Sequence, residues 1–165
     1  RVCRAGGYRG ICLYANRCST ALSAGFGKVG AENKPGGGFI IVKLINGEWK
    51  PLALLDKDKL DIPKGGCEDV DAGSRFNTAI RECFEECNII ISPSDLQWGQ
   101  EPFKTKNLDI FLASTEQAPL IKKNPTAREF EHQGAKWVEW DELETSIKNY
   151  LKPAIRWARK KINSV

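Results

Sequence analysis

Glu82, Glu85 and Glu86 lie within the run Arg81-Glu82-Cys83-Phe84-Glu85-Glu86. Residues at i, i+3 and i+4 share one face of a helix. Phe76, Ala79, Ile80, Cys83 and Cys87 recur at helical spacing on another face. The pattern predicts an amphipathic helix over 75–87, with Ser74 as N-cap and Asn88 as a left-handed residue at its end. Three like charges on one face repel, so a folded helix needs a reason to hold them together. A bound divalent cation is that reason; a solvated acidic face is the plain alternative. Magnesium takes oxygen ligands, usually one or two carboxylates plus substrate phosphates. Upstream, Ile62-Pro63-Lys64-Gly65-Gly66 forms a turn that can bring backbone and the Lys64 cation to the same face.

The rest of the chain supplies a sheet. Phe39 to Leu44 is β-branched and apolar, a strand buried on both faces, set off by Gly36-Gly37-Gly38. Asn46-Gly47 is a hairpin turn, and the return strand runs from Trp49 to Leu55. Short strands are expected at Leu60-Asp61-Ile62, Ile89 to Ile91, Leu108 to Ala113 and Lys136 to Trp140. A short helix capped by Asp141 and a C-terminal helix from about Tyr150 to Ile162 follow, with Pro153 in the first turn of the latter. Strands interleaved with helices predict an α/β domain with a mixed sheet. We expect it over 37–165, preceded by a loop-rich extension over 1–36 with one short strand near Gly10 to Tyr14.

Composition narrows the class. Hydrophobic content of 41% with 28% charged residues is that of an ordinary globular domain, which excludes a disordered chain. No apolar run approaches the roughly 20 residues of a membrane helix. Arg1-Val2-Cys3-Arg4 leads into Gly and Ala, so no signal peptide is expected, and a cytoplasmic location is. The six cysteines show no zinc spacing and are expected to be reduced, although a disulfide among Cys3, Cys12 and Cys18 stays open. Cys83 is read as core, and no nucleophile motif accompanies His132, the only histidine.

Ile62-Pro63-Lys64-Gly65-Gly66 followed by Arg81-Glu82-Cys83-Phe84-Glu85-Glu86-Cys87-Asn88-Ile89 resembles the Nudix box, G-x5-E-x7-R-E-U-x-E-E-x-G-U, where U is aliphatic. Asn88 stands at the box glycine, and Asn also tolerates positive φ. Counted from Gly65, the first glutamate position falls on Asp71, and the stretch from there to Arg81 is two residues too long. An insertion with Asp71 or Glu68 in place of that glutamate accounts for it. The resemblance implies an α/β/α sandwich and a hydrolase that splits nucleoside diphosphates linked to another group. It implies Mg²⁺, with Mn²⁺ as substitute, on Glu85, Glu86 and the Gly65 carbonyl, with Glu82 as ligand or general base and Arg81 fixing a glutamate.

Glu131-His132 a few residues before Trp137-Val138 resembles the diadenosine tetraphosphate hydrolase branch of that family. That likeness implies Glu131 as a further ligand or base. It also implies Lys104 or Lys106 on phosphate and Tyr150 stacked on a base, beside Lys64. The expected function is Mg²⁺-dependent cleavage of a phosphoanhydride in a dinucleoside polyphosphate. RNA 5′-end decapping, diphosphoinositol polyphosphate or ADP-ribose hydrolysis, and a catalytically silent nucleotide- or RNA-binding module are the alternatives. The C-terminal Arg156, Arg159 and Lys160 share a helical face, either solvated or in contact with RNA or polyphosphate. The partner expected is a polyphosphorylated nucleotide, not a membrane.

Overall fold

A computed structural model describes residues 34–121 and 132–164. The strand expected near Gly10 to Tyr14, the three N-terminal cysteines and Glu131 lie outside the described residues. The elements run β1 (Gly36–Ile45), β2 (Glu48–Asp56), β3 (Lys59–Asp61), β4 (Lys64–Gly66), α1 (Arg75–Cys87), β5 (Phe103–Lys104), β6 (Leu108–Ser114), β7 (Gly134–Trp137), α2 (Trp140–Ser146) and α3 (Lys152–Asn163). All seven strands join one sheet of order β3-β2-β1-β6-β5, with β4 also paired to β1 and β7 to β2. The β1–β6 pair is parallel and the other pairs are antiparallel, so the sheet is mixed.

β1 organises the core because it is buried on both faces. Ile40 and Val42 meet Leu143, Ile155 and Ala158 of α2 and α3 on one side. Phe39 and Ile41 meet Ala79, Cys83 and Cys87 of α1 on the other. Each such large apolar side chain, removed from water, stabilises the fold by about 1.5–3 kcal/mol. Helices therefore cover both sheet faces, as the α/β/α expectation required. Asn46 and Gly47 carry positive φ (51° and 79°), the hairpin geometry expected of that pair.

Four local readings change. The turn expected at Lys64-Gly65-Gly66 is strand β4, antiparallel to β1. The Gly36–Gly38 triplet lies inside β1 instead of bounding it, because its neighbours leave no room for side chains. A Cβ on Gly37 would fall 2.1 Å from the Arg75 carbonyl oxygen, and one on Gly36 would fall 2.1 Å from that of Gly65. Ile89 to Ile91 forms no strand. Asn88 turns the chain at φ 60°, and the Gln117 side-chain amide then meets both backbone groups of Ile90, at 3.0 and 2.8 Å. Finally, β7 stops at Trp137 and α2 begins at Trp140, with Glu139 instead of Asp141 at the N-cap position and no side-chain capping bond. A 3-10 turn at Asn149–Leu151 precedes α3.

Candidate active site

α1 runs over the residues its sequence pattern predicts. Ser74 accepts a hydrogen bond from the Asn77 N–H at 3.2 Å, and Asn88 closes the helix in the left-handed region. Packing of Ala79, Cys83 and Cys87 against β1 fixes the helix's rotation. That rotation turns Glu82 and Glu86 toward β4, while Glu85 stays half exposed. Glu86 is 9% exposed, and one of its carboxylate oxygens accepts the Lys64 backbone N–H at 3.2 Å. Burial first, and the neighbouring Glu82 charge second, push its carboxyl up to about 9, while Lys64 acts in the opposite sense. Glu82 lies directly against Gly65, where a Cβ would come within 2.1 Å of its carboxylate. Only glycine allows that approach.

Arg81 organises the acids around it. Its Nε and Nη2 grip both Asp71 oxygens at 2.9 and 3.0 Å, and Nη2 also donates to the Gly66 carbonyl at 2.9 Å. Nη1 donates to Glu82 and to Glu85, each at 3.0 Å. Asp71 is itself buried, accepting from the Glu68 N–H and the Thr78 hydroxyl, both at 2.9 Å. Of the two loop acids, Asp71 is the one engaged with Arg81, whereas Glu68 comes no nearer to Arg81 than 4.0 Å.

Two carboxylates next to the glycines of β4 form an all-oxygen donor set suited to a hard divalent cation completed by substrate phosphate. Glu86 supports the fit, since a buried carboxylate beside a second acid gains most from an added cation. Among the described residues, no three acid, histidine or cysteine side chains are gathered as a ready-made metal cage. Arg81 holds oxygens of Glu82 and Glu85, so this site would draw on phosphate oxygens for the rest of its ligands.

Gly65 and Gly66 also line a cavity of about 760 Å³. Lys64, Lys106 and Tyr150 line it, as do Lys34 and Lys148, which the motif reading did not single out. Lys104, on the two-residue strand β5, is exposed and does not line it. Beneath the cavity Asp61 is 1% exposed, and its Oδ2 meets Lys64 Nζ at 3.0 Å, Lys148 Nζ at 2.9 Å and His132 Nε2 at 3.5 Å. Asp61 Oδ1 accepts the Ile62 N–H at 2.8 Å. His132 is thus a buried neighbour of this cluster. The one sequence signal for Asp61 was an acid set between the apolar Leu60 and Ile62.

This arrangement of mixed sheet and covering helices is the fold of the Nudix hydrolases. The chain is similar to a Caenorhabditis elegans Ap4A hydrolase solved as a binary complex, with 18% identity, TM-score 0.60, and 78% of this chain and 98% of that one covered. It is similar also to the Nudix domain of Shewanella oneidensis NrtR complexed with ADP ribose (14%, TM-score 0.57, 79% and 88% covered). A third similar structure is the Escherichia coli dihydroneopterin triphosphate pyrophosphohydrolase (17%, TM-score 0.52, 79% and 97% covered). No protein-family model matches the sequence, and no curated protein matches it either.

Proposed function

We propose that this protein is a divalent-metal-dependent pyrophosphohydrolase that cleaves a phosphoanhydride bond in a polyphosphorylated nucleotide, with a dinucleoside polyphosphate of the Ap4A kind as first candidate. The observation that carries the proposal is the junction at Gly65. The Glu82 carboxylate lies against Gly65, Glu86 accepts the Lys64 N–H, and a cavity lined by Gly65, four lysines and Tyr150 adjoins them. A chain of phosphates laid across that junction would place one phosphorus beside the carboxylates and the remainder among the lysines.

A metal ion held by Glu82 and Glu86 would screen phosphate charge and activate a water. Glu85 and Glu131 are its further candidate ligands, as is the Gly65 carbonyl. Arg81 bonds both Glu82 and Glu85 and so fixes their rotamers. Glu82, or else Glu131, would accept the proton of the attacking water. Lys64, Lys106 and Lys148 would hold phosphates beyond the scissile bond, and Tyr150, 52% exposed at the cavity, would stack on a base. Nucleic acid is the weaker candidate. Arg156 pairs with Glu144 at 2.6 Å and Arg159 with Asp141 at 2.7 Å, so much of the basic face of α3 is internally neutralised.

Phosphate release should be measured with Mg²⁺ and with Mn²⁺ across dinucleoside polyphosphates, nucleoside triphosphates, ADP-ribose, diphosphoinositol polyphosphates and 5′-triphosphorylated RNA. Dinucleoside polyphosphate should head the panel, and Glu86→Gln should reduce the rate by about a hundredfold or more while the protein stays folded. Full activity in Glu86→Gln, or none on any substrate in the wild type, would remove the reading. A silent module would instead bind nucleotides with no dependence on divalent metal.

A further inference from the structure

We infer that Asp61 is the positioning residue of a two-lysine phosphate clamp, made by Lys64 and Lys148 in the cavity beside Gly65. The inference rests on the reading of that cavity as the phosphate-binding part of the site.

The two lysines come from distant parts of the chain. Lys64 opens β4, and Lys148 lies between α2 and the turn that leads into α3. Both line the cavity, and both reach Asp61 Oδ2, at 3.0 and 2.9 Å. Two ammonium groups that share one carboxylate oxygen would otherwise repel each other. Lys148 also pairs with Asp56 at 2.8 Å, so it keeps a partner when Asp61 is neutral. Lys64 has no second ion pair among the described residues. Asp61 is in turn held by the Ile62 N–H and flanked by the buried His132. Burying a carboxylate is costly, and here that cost is outweighed first by the His132 hydrogen bond and then by the Lys64 and Lys148 ammonium groups, which together hold Asp61 well below the usual carboxylate range. A buried acid under an anion-binding floor opposes the anion by simple charge. Its use here is geometric: it draws two flexible four-carbon side chains to one point.

The sign of the effect separates positioning from plain electrostatics. Asp61→Asn removes a negative charge from beneath the cavity. By Coulomb attraction alone, anions should then bind more tightly. If Asp61 positions the clamp, they bind more weakly despite the added positive charge.

Inorganic tripolyphosphate is the probe, titrated calorimetrically into the whole protein in metal-free buffer, where no hydrolysis intervenes. Loss of one or two charge-assisted contacts should raise the dissociation constant of Asp61→Asn by about tenfold or more. Lys148→Met should show a similar loss, and the double variant should lose little more than either alone. Equal or tighter binding in Asp61→Asn, or no binding by the wild type, overturns the inference. If Asp61→Asn does not fold, lysine-selective NMR on the wild type decides. Two ammonium groups should exchange slowly with solvent and shift as tripolyphosphate is added; exchange-averaged lysine signals that ignore the probe overturn the inference. Because no metal or hydrolysis is involved, a failed clamp and a failed hydrolase reading are told apart.

Discussion

At the scale of single residues, Arg81 and Asp71 form the hinge between loop and helix. Asp71 is buried and meets the guanidinium with two parallel contacts, the strongest geometry available to such a pair. Asp71→Ala removes these together with the Thr78 and Glu68 contacts, while Arg81 retains Glu82, Glu85 and the Gly66 carbonyl. The expected cost is about 2–4 kcal/mol, read from the shift of a urea unfolding midpoint. An unchanged midpoint would show that the pair is solvated in solution. The glutamate set was legible because all its members sit on one helix, where spacing alone fixes the face. The pairing of Asp71 with Arg81 was not legible, since burial and distance, not spacing, separate Asp71 from Glu68. The partnership of Asp61 and Lys148 was not legible, because 87 residues separate two side chains that only the fold brings together.

At the scale of elements, α1 followed from its own residues, and the strands around it followed only in part. The Gly36–Gly38 triplet looks like punctuation because glycine weakens a strand. Here the need for glycine comes from outside the strand, from α1 on one side and β4 on the other. Likewise Ile89 to Ile91 has strand composition, yet its edge is met by the Gln117 amide, a partner 27 positions away from Ile90. A paired substitution tests how tightly helix and strand are pressed together. In Gly37→Ala the new Cβ meets the Arg75 backbone carbonyl at 2.1 Å, and backbone cannot swing aside. In Gly134→Ala it meets only the end of the Leu55 side chain at 3.3 Å. Overpacking should cost the first variant about 3 kcal/mol or more. The second should stay within about 0.5 kcal/mol of the wild type or gain slightly. Thermal melts of the two variants side by side supply the comparison; equal losses would mean that α1 lifts freely from the sheet.

At the scale of the whole molecule, the buried Glu86 makes stability depend on pH, and the proposed metal site would add a dependence on divalent ions. Burial, and then the Glu82 charge, push the Glu86 carboxyl from the ordinary glutamate value of 4.5 up to about 9. Between those values the native state holds a proton that the unfolded state has lost. Stability therefore falls as pH rises through that window, by up to about 1.4 kcal/mol per unit, and levels off above it. Asp61 acts in the opposite sense. Its folded value is depressed, so its contribution is present above the ordinary carboxylate range and is lost only in acid, outside the Glu86 window. In chelator the melting temperature should decline from about pH 5 to pH 9, and Glu86→Gln should flatten that decline and melt higher at neutral pH. Added Mg²⁺ or Mn²⁺ should raise the wild-type melting temperature most at the alkaline end, because an ion that binds only the folded carboxylate pair stabilises by mass action. The same ions should barely move Glu86→Gln. If the wild-type profile in chelator is flat, or if metal stabilises both proteins alike, Glu86 is not the buried acid that the site is built around.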